Sequence, residues 1–254
     1  MRLATFNILH GRSPVDDRVD LDRFVDAVKA LDADVLALQE VDRNQPRSEN
    51  ADLTAVAAEA MGATEHRFVA ALAGTPGATW MAATGEEQPD AAAYGIALLS
   101  RLPVQSWQVV RLSSPPTRVP MRFAGSRKPE LVRDEPRVAV AARIERPYGG
   151  ALTVANAHLS FVSWWGRHQL RRTVRSLAGE NPMVLLGDLN MSLERATAVS
   201  GLRSLVEQPT FPADDPREQL DHVLARGDVG QVAAVEVQRL PLSDHCAVSV
   251  ELGP

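Results

Sequence analysis

Hydrophobic and polar positions follow two periods along the chain. Residues 2–8 read as a buried strand, and Asp34 to Gln39 is a short apolar strand that runs straight into Glu40. Two early stretches repeat with helical spacing instead. In residues 20–31, Asp20 is a plausible N-cap and Leu21, Phe24, Val25, Val28 and Leu31 share a face. In residues 51–61, Leu53, Val56, Ala57, Ala60 and Met61 do the same. Further strands are predicted near 66–71, 79–84, 94–99, 104–111, 137–145, 151–157, 183–186, 221–226, 231–238 and 246–251, with a turn at Pro147-Tyr148-Gly149-Gly150 and a helix near 166–178. Residues 193–206 read as short helical turns and 209–217 as a proline-rich loop. The stretch 113–136 holds five prolines and few β-branched residues, so it is expected to be a long loop.

Strand pairs without an intervening helix alternate with strand–helix units. That pattern disfavours a purely parallel sheet and predicts two mixed sheets packed face to face with helices outside. There is no clear internal repeat, linker or low-complexity segment, so residues 1–254 are expected to form one α/β domain.

Composition narrows the function classes. With 45% hydrophobic and 23% charged residues the chain can bury a sizeable core. A formal net charge of −5 argues against a dedicated high-affinity, non-specific nucleic-acid binder, which would carry a basic excess, but leaves room for a local basic groove. The single cysteine, Cys246, precludes an internal disulfide. No apolar run reaches membrane-spanning length, and the first strand begins at the first residues with no signal peptide ahead of it; a cytoplasmic location is expected.

Polar and ionisable residues gather where strands meet loops. Asn7 lies near the end of the first strand and Glu40 at the end of the second; His158, then Asp188 and Asn190, follow apolar runs; Asp221 opens a strand, and Ser243-Asp244-His245 precedes the last one. Taken singly, each has a structural explanation as a turn, a cap or a hydrogen-bonded core residue. Together they supply oxygen ligands, an imidazole with a carboxylate partner, and amide donors. Oxygen groups such as Asn7, Glu40 and Asp244 suit a hard cation, and no Cys/His pair has zinc-like spacing.

Thr5-Phe6-Asn7, Leu38-Gln39-Glu40-Val41-Asp42, Tyr94-Gly95-Ile96-Ala97-Leu98-Leu99-Ser100, Arg137, Asn156-Ala157-His158-Leu159, Gly187-Asp188-Leu189-Asn190, Leu220-Asp221-His222-Val223 and Leu242-Ser243-Asp244-His245-Cys246-Ala247-Val248 occur in that order. This ordered set resembles the endonuclease/exonuclease/phosphatase superfamily over nearly the whole chain. That group includes DNase I-like nucleases, abasic-site endonucleases, sphingomyelinases and inositol-polyphosphate 5-phosphatases. The resemblance implies a DNase I-like four-layer α/β sandwich and a metal-dependent phosphoric ester hydrolase, using Mg²⁺ with Mn²⁺ able to substitute. It implies Glu40 as the principal metal ligand, with Asn7 and Asp244 near the same ion. Asp188 would orient or deprotonate the attacking water, Asn190 and His158 would donate to the phosphate, and His245 with Asp221 would stabilise the transition state. Arg137 matches an arginine that often begins this strand in relatives; it is a candidate phosphate ligand or one half of a surface ion pair. Tyr94 reads as core or pocket wall. A serine hydrolase is rejected, because no Gly-x-Ser-x-Gly elbow is present. His10, His66, His168 and His222 fit no required role.

The substrate is less legible. The 113–136 stretch carries Arg118, Arg122, Arg127, Lys128 and Arg133, and Trp164 and Trp165 are expected close to the site, just ahead of the helix. Arginines with aromatics suit a nucleic-acid strand or a phospholipid headgroup; tryptophans that anchor the helix and arginines that solvate a loop explain them as well. The acidic net charge tilts toward a small phosphodiester or phosphomonoester. A phosphodiesterase is the leading expectation, with a nuclease, an inositol phosphate phosphatase or sphingomyelinase-like enzyme, and a non-catalytic scaffold as alternatives. A monomer without an obligate protein partner is expected.

Overall fold

A computed structural model describes residues 1–121 and 130–253. In chain order the strands are β1 (Arg2–Asn7), β2 (Arg12–Ser13), β3 (Arg18–Val19), β4 (Val35–Arg43), β5 (Glu65–Gly74), β6 (Trp80–Ala82), β7 (Ala93–Ser100), β8 (Val104–Leu112), β9 (Val119–Met121), β10 (Glu130–Val132), β11 (Arg137–Glu145), β12 (Ala151–His158), β13 (Met183–Asp188), β14 (Arg203–Ser204), β15 (Asp221–Arg226), β16 (Val232–Gln238) and β17 (Ala247–Leu252). The helices are α1 (Leu21–Leu31), α2 (Leu53–Met61), α3 (Ser163–Ser176) and α4 (Leu193–Ser200).

Two large mixed sheets carry the fold, ordered β16-β17-β1-β4-β7-β5-β6 and β14-β15-β13-β12-β11-β8. Leu3, Val35, Ile96 and Leu98 of the first sheet and Val140, Val154, Val184 and Leu186 of the second share one core between the sheets. The other face of the first sheet buries Phe6, Leu36 and Leu38 against Phe24 and Leu31 of α1 and Leu53 of α2. The other face of the second buries Leu185 and Leu224 with Leu170 of α3 and Ala196 of α4. The result is the DNase I-like layering of helices, sheet, sheet and helices. Among the described residues, no helix is long and apolar enough to cross a membrane.

Local chemistry explains the elements. Asp20 caps α1 by accepting from the Arg23 amide, as expected, and Asp52 caps α2 through the amides of Thr54 and Ala55. Each sheet contains one parallel pair at its middle, β1 with β4 and β12 with β13, while every other pairing in the two large sheets is antiparallel. A buried polar pin joins the two parallel pairs across the sandwich. Gln39 donates to the Asn156 carbonyl oxygen at 2.7 Å, and the Asn156 amide donates to the backbone oxygens of Leu38 (2.9 Å) and Ala97 (2.8 Å). These groups are wholly buried and satisfied, which rigidifies the contact between the sheets.

Two expectations need correction. The stretch 113–136 is not loop throughout, because Val119–Met121 pairs antiparallel with Glu130–Val132. Two apolar-rich flanks can satisfy their backbone groups against each other even when prolines surround them. Arg122, Arg127 and Lys128 lie outside the described residues. The helix expected at 166–178 begins three residues earlier, at Ser163, so Trp164 and Trp165 occupy its first turn.

One glycine sets the spacing at the site. Gly187 has φ +137°, and a Cβ there would lie 1.9 Å from the Ala157 oxygen. Only glycine lets the end of β13 approach β12 this closely. Gly187→Ala is expected to destabilise the protein by roughly 2–4 kcal/mol, read as a fall in thermal midpoint. An unchanged melting curve would refute the close-approach argument.

Candidate active site

The two central parallel pairs end at one edge of the sandwich. Asn7 ends β1, Glu40 lies in β4, His158 ends β12 and Asp188 ends β13. Their antiparallel neighbours start at the same edge: Asp221, the first residue of β15, pairs directly with Asp188, and His245 precedes β17 by two residues. Residues separated by up to 238 positions in sequence therefore converge, and rigid strand ends fix them.

Asp188 Oδ2 is the focus. The Asn7 amide donates to it at 3.0 Å, and His158 Nε2 and His245 Nε2 stand 3.5 Å and 3.9 Å away. Asp188 Oδ1 accepts from the Asn190 backbone amide at 3.0 Å, and the Asn190 side chain donates to the Leu159 oxygen at 3.1 Å. The remaining side-chain hydrogen of Asn190 is available to a ligand. Burial pushes the Asp188 carboxyl up to about 7, against the lowering influence of the His245 charge.

The two histidines are driven apart. Burial pulls His245 down, but the charge and 2.9 Å hydrogen bond of Asp221 outweigh it and raise His245 to about 10. Asp221 is itself wholly buried and accepts from the Thr210 hydroxyl at 2.6 Å, while the Phe211 ring packs 4.8 Å from the His245 ring. His158 is held well below its ordinary value by burial and by the Arg137 cation. His245 is thus an imidazolium at neutral pH and His158 a neutral imidazole.

Glu40 faces the same cleft. It sits at φ +56° where the β4–β7 register slips between Leu38 and Val41, and this bulge turns its carboxylate toward the strand ends. The Asn7 amide donates to Glu40 at 3.3 Å. Burial raises the Glu40 carboxyl, and the nearby Asp244 charge raises it further. Asn7 uses its side-chain oxygen to accept from the Leu9 amide at 3.1 Å, so in this arrangement it bridges the two carboxylates as a donor.

Arg137 is no surface residue, contrary to one of the two readings above. It is buried, donates to Asp134 at 3.1 Å and sets Nη1 3.1–3.2 Å from both His158 ring nitrogens, which places the cation over the imidazole. Asp134 also accepts from the Ser160 hydroxyl. Trp165 anchors α3 by donating to the Ser113 oxygen at 2.7 Å; Trp164 is 46% exposed. Neither tryptophan hydrogen-bonds to the carboxylates or histidines among the described residues.

Several supporting residues escape a sequence reading. Thr210, Asp134 and Ser160 orient Asp221 and Arg137 from loops with no motif of their own. Arg47, bidentate to buried Asp42 at 2.8 Å, lies 5.5 Å from the Tyr94 ring centre. Tyr94 is buried, as expected of core or pocket wall. Ser243 donates to the Asn7 oxygen at 2.6 Å and accepts from the His245 amide at 3.1 Å, so it pins the last loop to the first strand. His222 points away from the site and bonds the Met191 oxygen at 2.8 Å.

A two-sheet α/β sandwich with carboxylates, an amide and a His–Asp pair at one strand edge defines the class of DNase I-like proteins. The profile of the Endonuclease/Exonuclease/phosphatase family matches residues 4–245, and the chain belongs to that family, whose members are phosphoester hydrolases. No curated protein matches the sequence. Solved structures do. An endonuclease/exonuclease/phosphatase from Beutenbergia cavernae DSM 12333 is 22% identical, with all of this chain and 72% of that one covered and a TM-score of 0.68. ANGEL2, a 2′,3′-cyclic phosphatase, is 16% identical over 98% of this chain and 93% of its own, with a TM-score of 0.64. Truncated TDP2 from Caenorhabditis elegans is 17% identical over 98% and 96%, with a TM-score of 0.58. At these identities the likeness is one of fold.

Proposed function

We propose that the chain is a divalent-metal-dependent phosphodiesterase in which Asp188 activates the attacking water. The observation that carries the proposal is the convergence of an amide and two oppositely tuned imidazoles on the single oxygen Asp188 Oδ2.

The donor set fits a hard cation such as Mg²⁺ or Mn²⁺. The Asp244 charge opposes that of Glu40, and Glu40 has the Asn7 amide as its hydrogen-bond donor among the described residues. A cation held by Glu40 and Asp244, with Asn7 alongside, removes that repulsion. Asp188, Asp221 and His245 also bring ligand-capable atoms within 4.8 Å of one another. Asp221 and His245 Nδ1 are already spent on each other, so we assign that group to proton and charge chemistry. When bound, a divalent cation supplies electrophilic stabilisation of the phosphoryl oxygens.

The chain's own residues do the rest. A carboxylate titrating near 7 accepts a proton from water at neutral pH. Asn190 and His158 donate to non-bridging oxygens. The His245 imidazolium, fixed by Asp221 through Nδ1, offers its Nε2 proton to the charge that builds during displacement. Arg137 holds His158 in position and neutral. The decisive assay is hydrolysis of bis(p-nitrophenyl) phosphate with Mg²⁺ or Mn²⁺, with and without EDTA. Turnover that EDTA abolishes and added metal restores is expected; absence of any metal-dependent turnover would sink the proposal.

Arg137→Met tests the assignment of that residue as a positioning group. It should lower kcat by about tenfold to a hundredfold with little change in KM. A KM effect alone would make Arg137 a substrate ligand instead.

A further inference from the structure

The helix α3 carries a cationic stripe that the site does not use. No carboxylate occurs in Ser163–Ser176, although acids outnumber Lys and Arg in the chain by 32 to 27. Gly166, Gln169, Leu170 and Thr173 face inward, while Trp164, Arg167, His168, Arg171, Arg172 and Arg175 are exposed. Among the described residues, none of the four arginines makes a side-chain hydrogen bond or ion pair. Arg167, Arg171 and Arg175 repeat at four-residue spacing, so like charges stack along one face. That arrangement destabilises a helix on its own, and stability does not account for it.

The stripe starts at the active site. A Cβ on Gly166 would lie 2.6 Å from the Ser160 oxygen, and Gln169 accepts from the Ser160 amide at 2.8 Å. Ser160 is two residues beyond His158, and the intervening Leu159 oxygen accepts from Asn190. Trp165 stacks on His168 at 4.8 Å and 23°, and Trp164 meets Trp165 edge-on at 5.2 Å and 72°, which leaves Trp164 available to solvent. Arg167 to Arg175 spans about 12 Å along the axis.

We infer that the outer face of α3 is an exosite for a single nucleic-acid strand, which it guides into the cleft. The inference rests on the phosphodiesterase reading and sharpens its substrate from any phosphodiester to one within a polyanionic strand. Unpaired guanidiniums match backbone phosphates, and the exposed indole offers a face for a base. An anionic membrane fits less well, because one exposed apolar side chain among five cationic or ionisable ones gives little surface to insert.

The test compares wild type with R167E/R171E/R175E and with W164A. Binding of a fluorescein-labelled single-stranded 12-mer is followed by anisotropy in EDTA over a salt series, so that no cleavage is required. The triple variant should bind at least about tenfold more weakly, with the slope of log K against log salt reduced by about 2. W164A should weaken binding by about fivefold or more. With Mn²⁺, the triple variant should lose oligonucleotide kcat/KM in proportion while hydrolysing bis(p-nitrophenyl) phosphate like wild type. Unchanged strand binding overturns the exosite, as does equal loss on the small substrate or charge-dependent binding to phosphatidylserine vesicles without strand binding. Failure of wild type on the small substrate instead counts against the phosphodiesterase reading, and the EDTA binding data stand apart from it.

Discussion

Asp188→Asn is expected to cut phosphodiester turnover by about a thousandfold while the protein stays folded. The substitution keeps the shape of the side chain and an oxygen for the Asn190 amide, but it removes the proton acceptor at the focus of the site. Because the lost interaction belongs to the chemical step, KM should change little. Stability supplies a second readout with a defined sign. The Asp188 carboxyl is raised from 3.8 to about 7 by burial, so its favourable contribution is full below pH 3.8 and is lost as pH rises through about 7. Metal-free D188N should therefore melt higher than wild type at pH 8 and show little gain at pH 4. Such an exchange of stability for activity is what a buried catalytic carboxylate predicts. A loss under about tenfold in turnover would move the role of base to another group.

The same residue shows how far the sequence reaches. The run Met183–Leu186 announces a buried strand, and Asp188 and Asn190 stand where it meets a loop, so their placement is legible from periodicity. Their company is not. Asp221 becomes the cross-strand partner of Asp188 only because β15 runs antiparallel beside β13, a pairing no local signal specifies. The motifs also mix two kinds of residue. Gln39 and Asn156 lie within one position of Glu40 and two of His158, yet they form the pin between the sheets rather than the site. Alternation separates Gln39 from Glu40, but Asn156 and His158 share a face two residues apart, and only the packed sandwich reveals that the first lies between the sheets and the second at the strand end beside Asp188. The sequence leaves Arg137 open between phosphate and surface because nothing in Asp134-Glu135-Pro136-Arg137 announces that Asp134 and His158 enclose it. No cap signal marks the true start of α3 at Ser163, so periodicity alone leaves Trp164 and Trp165 outside it; Gly166 belongs to the first turn, where the close contact with Ser160 requires it.

Glu40→Gln is expected to remove metal-dependent turnover by about a thousandfold or more, near 4 kcal/mol of transition-state stabilisation. A non-glycine residue at φ +56° in a strand is held there at a cost, and the bulge that holds it serves to aim one carboxylate at the strand ends. That carboxylate is then half-buried near the Asp244 charge, which raises its proton affinity instead of satisfying it. Both features destabilise the metal-free protein, and a bound cation reverses the second. Wild type should consequently gain thermal stability on addition of Mn²⁺, by the mass-action rule for a ligand that binds only the folded state. E40Q keeps the volume and the hydrogen bond partner of the glutamate while deleting its charge, so it should lose most of the Mn²⁺-dependent shift and melt at or above wild type without metal. Titration calorimetry with Mn²⁺ would show the same loss as weakened binding. If E40Q binds Mn²⁺ like wild type, Glu40 and Asp244 are not the metal site, and the Asp188–Asp221–His245 group becomes the place to look for it.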